Sequence, residues 1–183
     1  GLGDAGRPTN IQNAAGEIAG LILASHYPQL KVFPWCTFHN PQQQIGRTMF
    51  IMNDHNQYVP TPSGHVMTMF HQLGDRELAI QEYVDNNAVA TIEDDTLSLI
   101  CANPGQDLCD YHITIDQLPP GNWQWTEYYV DEQCNHCLLD ASLTELKRTK
   151  HCNESVNDGT LSFSITMREN AFCLCQLTKC SAI

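Results

Sequence analysis

The sequence predicts a mainly β protein of the α+β class, an antiparallel β-sandwich or barrel with one N-terminal helix packed on it and a disulfide-stapled C-terminal half. Three observations predict it. One run near the N-terminus has helical periodicity and a cap. Beyond Pro28 the apolar pattern changes to period two and recurs in short segments. Eight of the nine cysteines lie beyond residue 100.

The first eight residues contain glycine and proline and read as loose. The helix follows. Thr9 is a natural N-cap, and Gln12 three residues on completes a capping box. Ile11, Ala15, Ile18 and Ile22 recur at helical spacing, and Pro28 stops the run. Ala14, Ala15, Gly16, Ala19 and Gly20 make one side of this helix small. A small side predicts close packing on the domain's own sheet, with a dimer contact as the alternative.

Strands are expected at Lys31–Phe38, Thr48–Met52, His65–His71, Glu77–Val84, Thr96–Ala102, Tyr111–Asp116 and Trp123–Val130. Clusters such as Pro60 to Gly64, Asn103-Pro104-Gly105 and Pro119-Pro120-Gly121 separate them. Thr160–Arg168 alternates most regularly, with Leu161, Phe163, Ile165 and Met167 on one face. Asn157-Asp158-Gly159 before it reads as a hairpin turn, because these residues tolerate positive φ. Ala171–Leu177 returns as the last strand. Leu138, Leu139, Leu143 and Leu146 could line a short second helix. No repeat or linker divides the 183 residues, so a single secreted domain over 1–183 is expected.

The nine cysteines are Cys36, Cys101, Cys109, Cys134, Cys137, Cys152, Cys173, Cys175 and Cys180. Their number points to disulfides in an oxidising compartment. Cys134 and Cys137 with His151-Cys152 resemble half a zinc site, but no second Cys-x-x-Cys completes it. Cys173 and Cys175, two apart on a strand, share a face and should each reach a different partner. The odd count leaves one thiol over. Cys36 beside Trp35 and Cys180 near the end are its expected bearers, and a disulfide-linked dimer through Cys180 is the sharper expectation.

A net charge of −12 argues against nucleic acid and against anionic membrane surfaces. No run approaches the length of an apolar membrane span. The start at Gly1 fits a trimmed signal peptide, and Asn153-Glu154-Ser155 is a glycosylation sequon. Together they predict an acidic, secreted glycoprotein.

Four residues at alternate positions, His65, Met67, Met69 and His71, would face one side of a strand and offer nitrogen and sulfur to copper. The set is incomplete on one strand, so no metal and no cofactor is assigned. Trp123, Trp125, Glu127 and Tyr129 share another strand face. Exposed, that face would be an aromatic platform for a sugar, a cation or a protein; buried, it would be core. Asp54-His55, Asp110-Tyr111-His112 and Glu93-Asp94-Asp95 supply pieces of hydrolytic chemistry outside any recognised frame. The leading expectation is a non-enzymatic extracellular binding or effector protein recognising a protein or glycan partner. A secreted hydrolase using histidine and carboxylates is the second, and a carrier of a small apolar ligand the third.

Overall fold

The computed structural model describes residues 9–27, 29–32, 48–81, 87–105, 107–137, 143 and 145–180. The expected strand at Lys31–Phe38, the second helix near Leu138 and the surroundings of Cys36 fall wholly or mostly outside these residues.

Helix α1 spans Asn10–Ser25 and begins on the expected capping box. The Thr9 N–H donates to Gln12 Oε1 at 2.8 Å, and the Gln12 N–H donates to Thr9 Oγ1 at 3.4 Å. Its buried face is Ile11, Ala14, Ala15, Ile18 and Ile22. Gly16 and Gly20 turn away to the exposed side, with open space where a side chain would stand. The small side is therefore only partly a packing face.

Strands β1 (Phe50–Met52) and β2 (Tyr58–Pro60) form a small antiparallel hairpin. Helix α2 (Pro62–Phe70) follows at once. This corrects the strand expected at His65–His71. Thr61 caps the helix, Pro62 sits in its first turn, and Val66, Met69 and Phe70 keep helical spacing. The alternation of His and Met across 65–71 imitated period two. No described helix is long and apolar enough to cross a membrane.

The remaining strands are β3 (Arg76–Glu77), β4 (Ala88–Glu93), β5 (Thr96–Asn103), β6 (Cys109–Ile115), β7 (Gly121–Val130), β8 (Lys150–Val156), β9 (Leu161–Met167) and β10 (Ala171–Lys179). Six form one antiparallel sheet in the order β3-β4-β5-β10-β7-β8, and β6 and β9 form a second sheet of two strands. Among the described residues β3 and β8 each pair on one side only, so the larger sheet does not close. The sandwich alternative holds and the barrel does not.

Three layers result. The helices cover one face of the large sheet, where Ile11, Ile18, Ile22, Val66 and Met69 meet Val89, Ile100, Val130, Phe172 and Leu174. The β6–β9 pair covers the other, where Phe163, Ile165 and Met167 meet Leu99, Trp123, Trp125 and Leu177. Strand β10 lies between β5 and β7 and is buried on both faces. Each large apolar side chain fully removed from water there contributes roughly 1.5–3 kcal/mol.

The turn at Asn157-Asp158-Gly159 is real but is not a hairpin. Gly159 takes φ +83°, yet β8 pairs with β7 while β9 pairs with β6. The turn carries the chain from the large sheet to the small one. The Leu118 N–H donates to the Gly159 carbonyl at 2.9 Å and holds that crossing.

Candidate functional site

Strand alternation puts Trp123, Trp125, Glu127 and Tyr129 on one face of β7, as expected, and that face looks into the sandwich. Trp123 and Trp125 are 3% and 4% exposed. The Trp123 indole N–H donates to the Pro119 carbonyl at 3.1 Å. The two tryptophans form core and present no open platform, while Glu127 and Tyr129 are half-buried.

Polar groups concentrate at the C-terminal end of this strand. Burial pushes the Glu127 carboxyl above its usual range and Cys173 adds to the effect, while the Thr149 hydroxyl and Lys150 oppose it. Thr149 Oγ1 lies 3.1 Å from Glu127 Oε1 and 3.0 Å from the Glu127 carbonyl. The Tyr129 hydroxyl accepts the Arg168 N–H at 2.9 Å, and burial pushes its phenol up to about 12. Buried Asp131 accepts the N–H groups of Gln133 and Cys134, both at 2.7 Å, and pairs with Arg168 at 3.2 Å. Asn135, at φ +52°, donates to the carbonyls of Tyr129 and Lys147 and accepts the Lys147 N–H. These bonds fix the loop that holds Cys134 and Cys137.

One pair of residues went unread in the sequence. His65 of α2 is fully buried, and neither of its ring nitrogens has a hydrogen-bond partner. Nδ1 of buried His136, in the loop after β7, has none either. Burial first, and His136 second, lower the His65 pKa to about 4. His65 is thereby a neutral imidazole at ordinary pH. The usable signal was Thr61-Pro62, which marks a helix start and detaches His65 from Met67 and His71.

The copper set accordingly disperses. On a helix, His65 and Met69 lie one turn apart and buried, Met67 is half-buried, and His71 is exposed at the C-cap. Asp54-His55 lies in the β1–β2 turn, Glu93-Asp94-Asp95 at the β4–β5 turn, and Asp110 and His112 on β6. No three His, Cys, Asp or Glu side chains among the described residues are placed to hold a metal ion. Cys134 and Cys137 stay in their loop while His151 and Cys152 lie on β8. Asn153 is exposed on β8, an edge strand. Among the described cysteines no two Sγ atoms stand at bonding distance, so the expected disulfide staples are not shown.

No known protein family and no curated protein matches the chain by sequence. Solved structures do match by fold. A bacterial orthologue of human α-L-iduronidase superposes with a TM-score of 0.76 at 12% identity, over 100% of this chain and 41% of its own. The GH39 enzyme from Xanthomonas axonopodis pv. citri gives 0.72 at 13% identity, over 93% and 41%. A monomeric β-xylosidase from Caulobacter crescentus CB15 gives 0.69 at 16% identity, over 97% and 44%. At such identities the likeness is one of fold, and this chain spans less than half the length of those it matches.

This fold likeness corrects the leading functional expectation. A free-standing, non-enzymatic binding or effector scaffold was inferred from a β architecture without a catalytic motif. That architecture proves to be one that glycoside hydrolases carry. The carrier alternative supposed a barrel, and the described sheets do not form one.

Proposed function

We propose that this chain is the sandwich portion of a glycoside-hydrolase-type protein and braces a separate catalytic portion. One observation carries the reading: the whole arrangement of helices, large sheet and small sheet recurs in glycosidases, over 93–100% of this chain but only 41–44% of theirs. It shares the reaction class of the sequence-based hydrolase alternative but not the placing of catalytic histidine and carboxylates in this chain.

Among the described residues the exposed large apolar side chains are Leu23, Tyr27, Leu30, Val32, Phe50, Met52, Tyr58 and Leu108. All but Leu108 belong to the end of α1, the segment after it, and the β1–β2 hairpin. Glycosidase chemistry needs two carboxyl groups about 5–10 Å apart. On this reading that pair belongs to the portion being braced.

Aryl xylosides, glucosides and iduronides test the reading. Each is offered to this chain alone and to the product of its complete reading frame. Turnover is expected from the latter only. Turnover by the chain alone would remove the bracing role, and turnover by neither would remove the glycosidase.

A further inference from the structure

Three thiols lie in a row at the centre of the sandwich. Cys101 of β5 and Cys173 of β10 are directly opposed in the antiparallel ladder. Cys175 follows two residues along β10, opposite Leu99 on one side and Glu127 on the other. All three are 0–1% exposed and belong to the core under the β6–β9 pair. The Cys101 and Cys173 side chains act on each other directly, as do those of Cys173 and Cys175.

Backbone geometry separates the possible pairings. Directly opposed residues of an antiparallel pair have Cα atoms about 4.5–5.5 Å apart, and their side chains share a face. A disulfide needs Cα atoms roughly 4.4–6.8 Å apart, so Cys101 and Cys173 fall within reach. Residues two apart on one strand are about 7 Å apart, and diagonal neighbours roughly 7–8 Å. Both distances exclude Cys175 from bonding to either. No other described cysteine faces a cysteine in register: Cys109 opposes Met167, Cys152 opposes Trp125, and Cys134, Cys137 and Cys180 lie outside the ladders.

We propose that Cys101 and Cys173 form a cross-strand disulfide between β5 and β10, and that Cys175 is the thiol left over by the odd cysteine count. The bond forms by exchange with a small disulfide such as oxidised glutathione during folding. Each thiol gives up a proton and an electron, the Cys101–Cys173 sulfur bond forms, the glutathione disulfide breaks, and two glutathione thiols leave. Burial keeps Cys175 a thiol afterwards. The six remaining cysteines are even in number, so neither Cys36 nor Cys180 has to be odd.

The test is made on the full chain folded with oxidised and reduced glutathione. The product is unfolded without reductant, alkylated with iodoacetamide, digested and fragmented. Leu174 lies between Cys173 and Cys175, so fragment ions distinguish them. A Cys101–Cys173 cross-link with alkyl label on Cys175 is expected. Label on all three, or a bridge through Cys175, overturns the proposal. The Cys175→Ala variant guards against a folding failure at the bridge itself. It should keep the cross-link and still lose roughly 10 °C of Tm on reduction, because the bridge closes a long loop. A Cys175→Ala protein that folds without the cross-link also overturns the proposal.

Discussion

Trp125 and Phe163 meet edge to face, with ring centroids 3.9 Å apart and planes inclined by 61°. Trp125 stands on β7 of the large sheet and Phe163 on β9 of the small one. The contact therefore clamps two sheets that share no ladder.

Removing either ring should loosen the small sheet. Trp125→Ala leaves a cavity under β9 and is expected to cost about 3–5 kcal/mol. Phe163→Ala removes a less buried ring and should cost less. A double-mutant cycle read by urea unfolding should return a coupling of about 0.5–1.5 kcal/mol. Independent, additive losses would show that the rings do not act together. Trp125→Phe should be milder than Trp125→Ala, because the buried indole N–H of Trp125 has no acceptor and its removal relieves an unmet donor.

The Asp131–Arg168 pair should be markedly unequal under mutation. The Asp131 side chain is 3% exposed and that of Arg168 56%. Asp131→Ala strands the N–H groups of Gln133 and Cys134 and should cost roughly 2–4 kcal/mol. Arg168→Ala removes a largely hydrated partner and should cost about 1 kcal/mol or less. Equal losses in thermal unfolding would place the stabilisation in the ion pair and not in the backbone bonds.

Periodicity made much of this fold legible. Strands β5, β6, β7, β9 and β10 were read within a few residues, since each keeps alternation or a continuous apolar run. The cap at Thr9 fixed the start of α1. The strands that went unread were Ala88–Glu93, Lys150–Val156 and Tyr58–Pro60. Lys150–Val156 is an edge strand whose side chains are nearly all exposed, so it lacks an apolar signature. Pairing partners were illegible too: Asn157-Asp158-Gly159 has hairpin chemistry, but burial of Ile165 and Met167 beneath the large sheet sends β9 to β6. On β7 the shared face was right, and only tertiary packing decides that Trp123 and Trp125 lie inside. Cys173 and Cys175 were read as neighbours on one face, but Cys101 opposite Cys173 needed the register.

Stability should fall as the pH drops from about 6.5 to about 4. An unfolded histidine takes up its proton near 6.5, whereas buried His65 does so at about 4. Between those values the unfolded chain binds more protons, so unfolding is favoured, by about 3 kcal/mol at the lower end. His136, also lowered by burial, acts in the same direction, although Glu132 and Asp131 oppose its shift. Glu127 acts oppositely: its raised pKa favours the folded state below its ordinary range and loses that contribution as the pH rises. His65→Met keeps an apolar side chain on α2 and removes the titration. The urea midpoint of this variant should vary much less with pH across that window. An unchanged slope would assign the acid sensitivity elsewhere.

Glycine replacements should separate the two helices. A Cβ at Gly64 of α2 would collide with the Met49 carbonyl oxygen and press on Pro60. Neither neighbour is a flexible side-chain tip, so Gly64→Ala must push α2 away from the segment before β1, at roughly 1–3 kcal/mol. Gly16 and Gly20 of α1 have nothing within 4 Å of an added Cβ. Each sits in a helix interior, where alanine is favoured by roughly 0.5–1 kcal/mol. Gly16→Ala and Gly20→Ala should therefore raise Tm while Gly64→Ala lowers it. If the α1 replacements instead lower Tm, that exposed stripe is a contact surface after all, and the close packing that its small residues suggested is made with another molecule or another part of the protein.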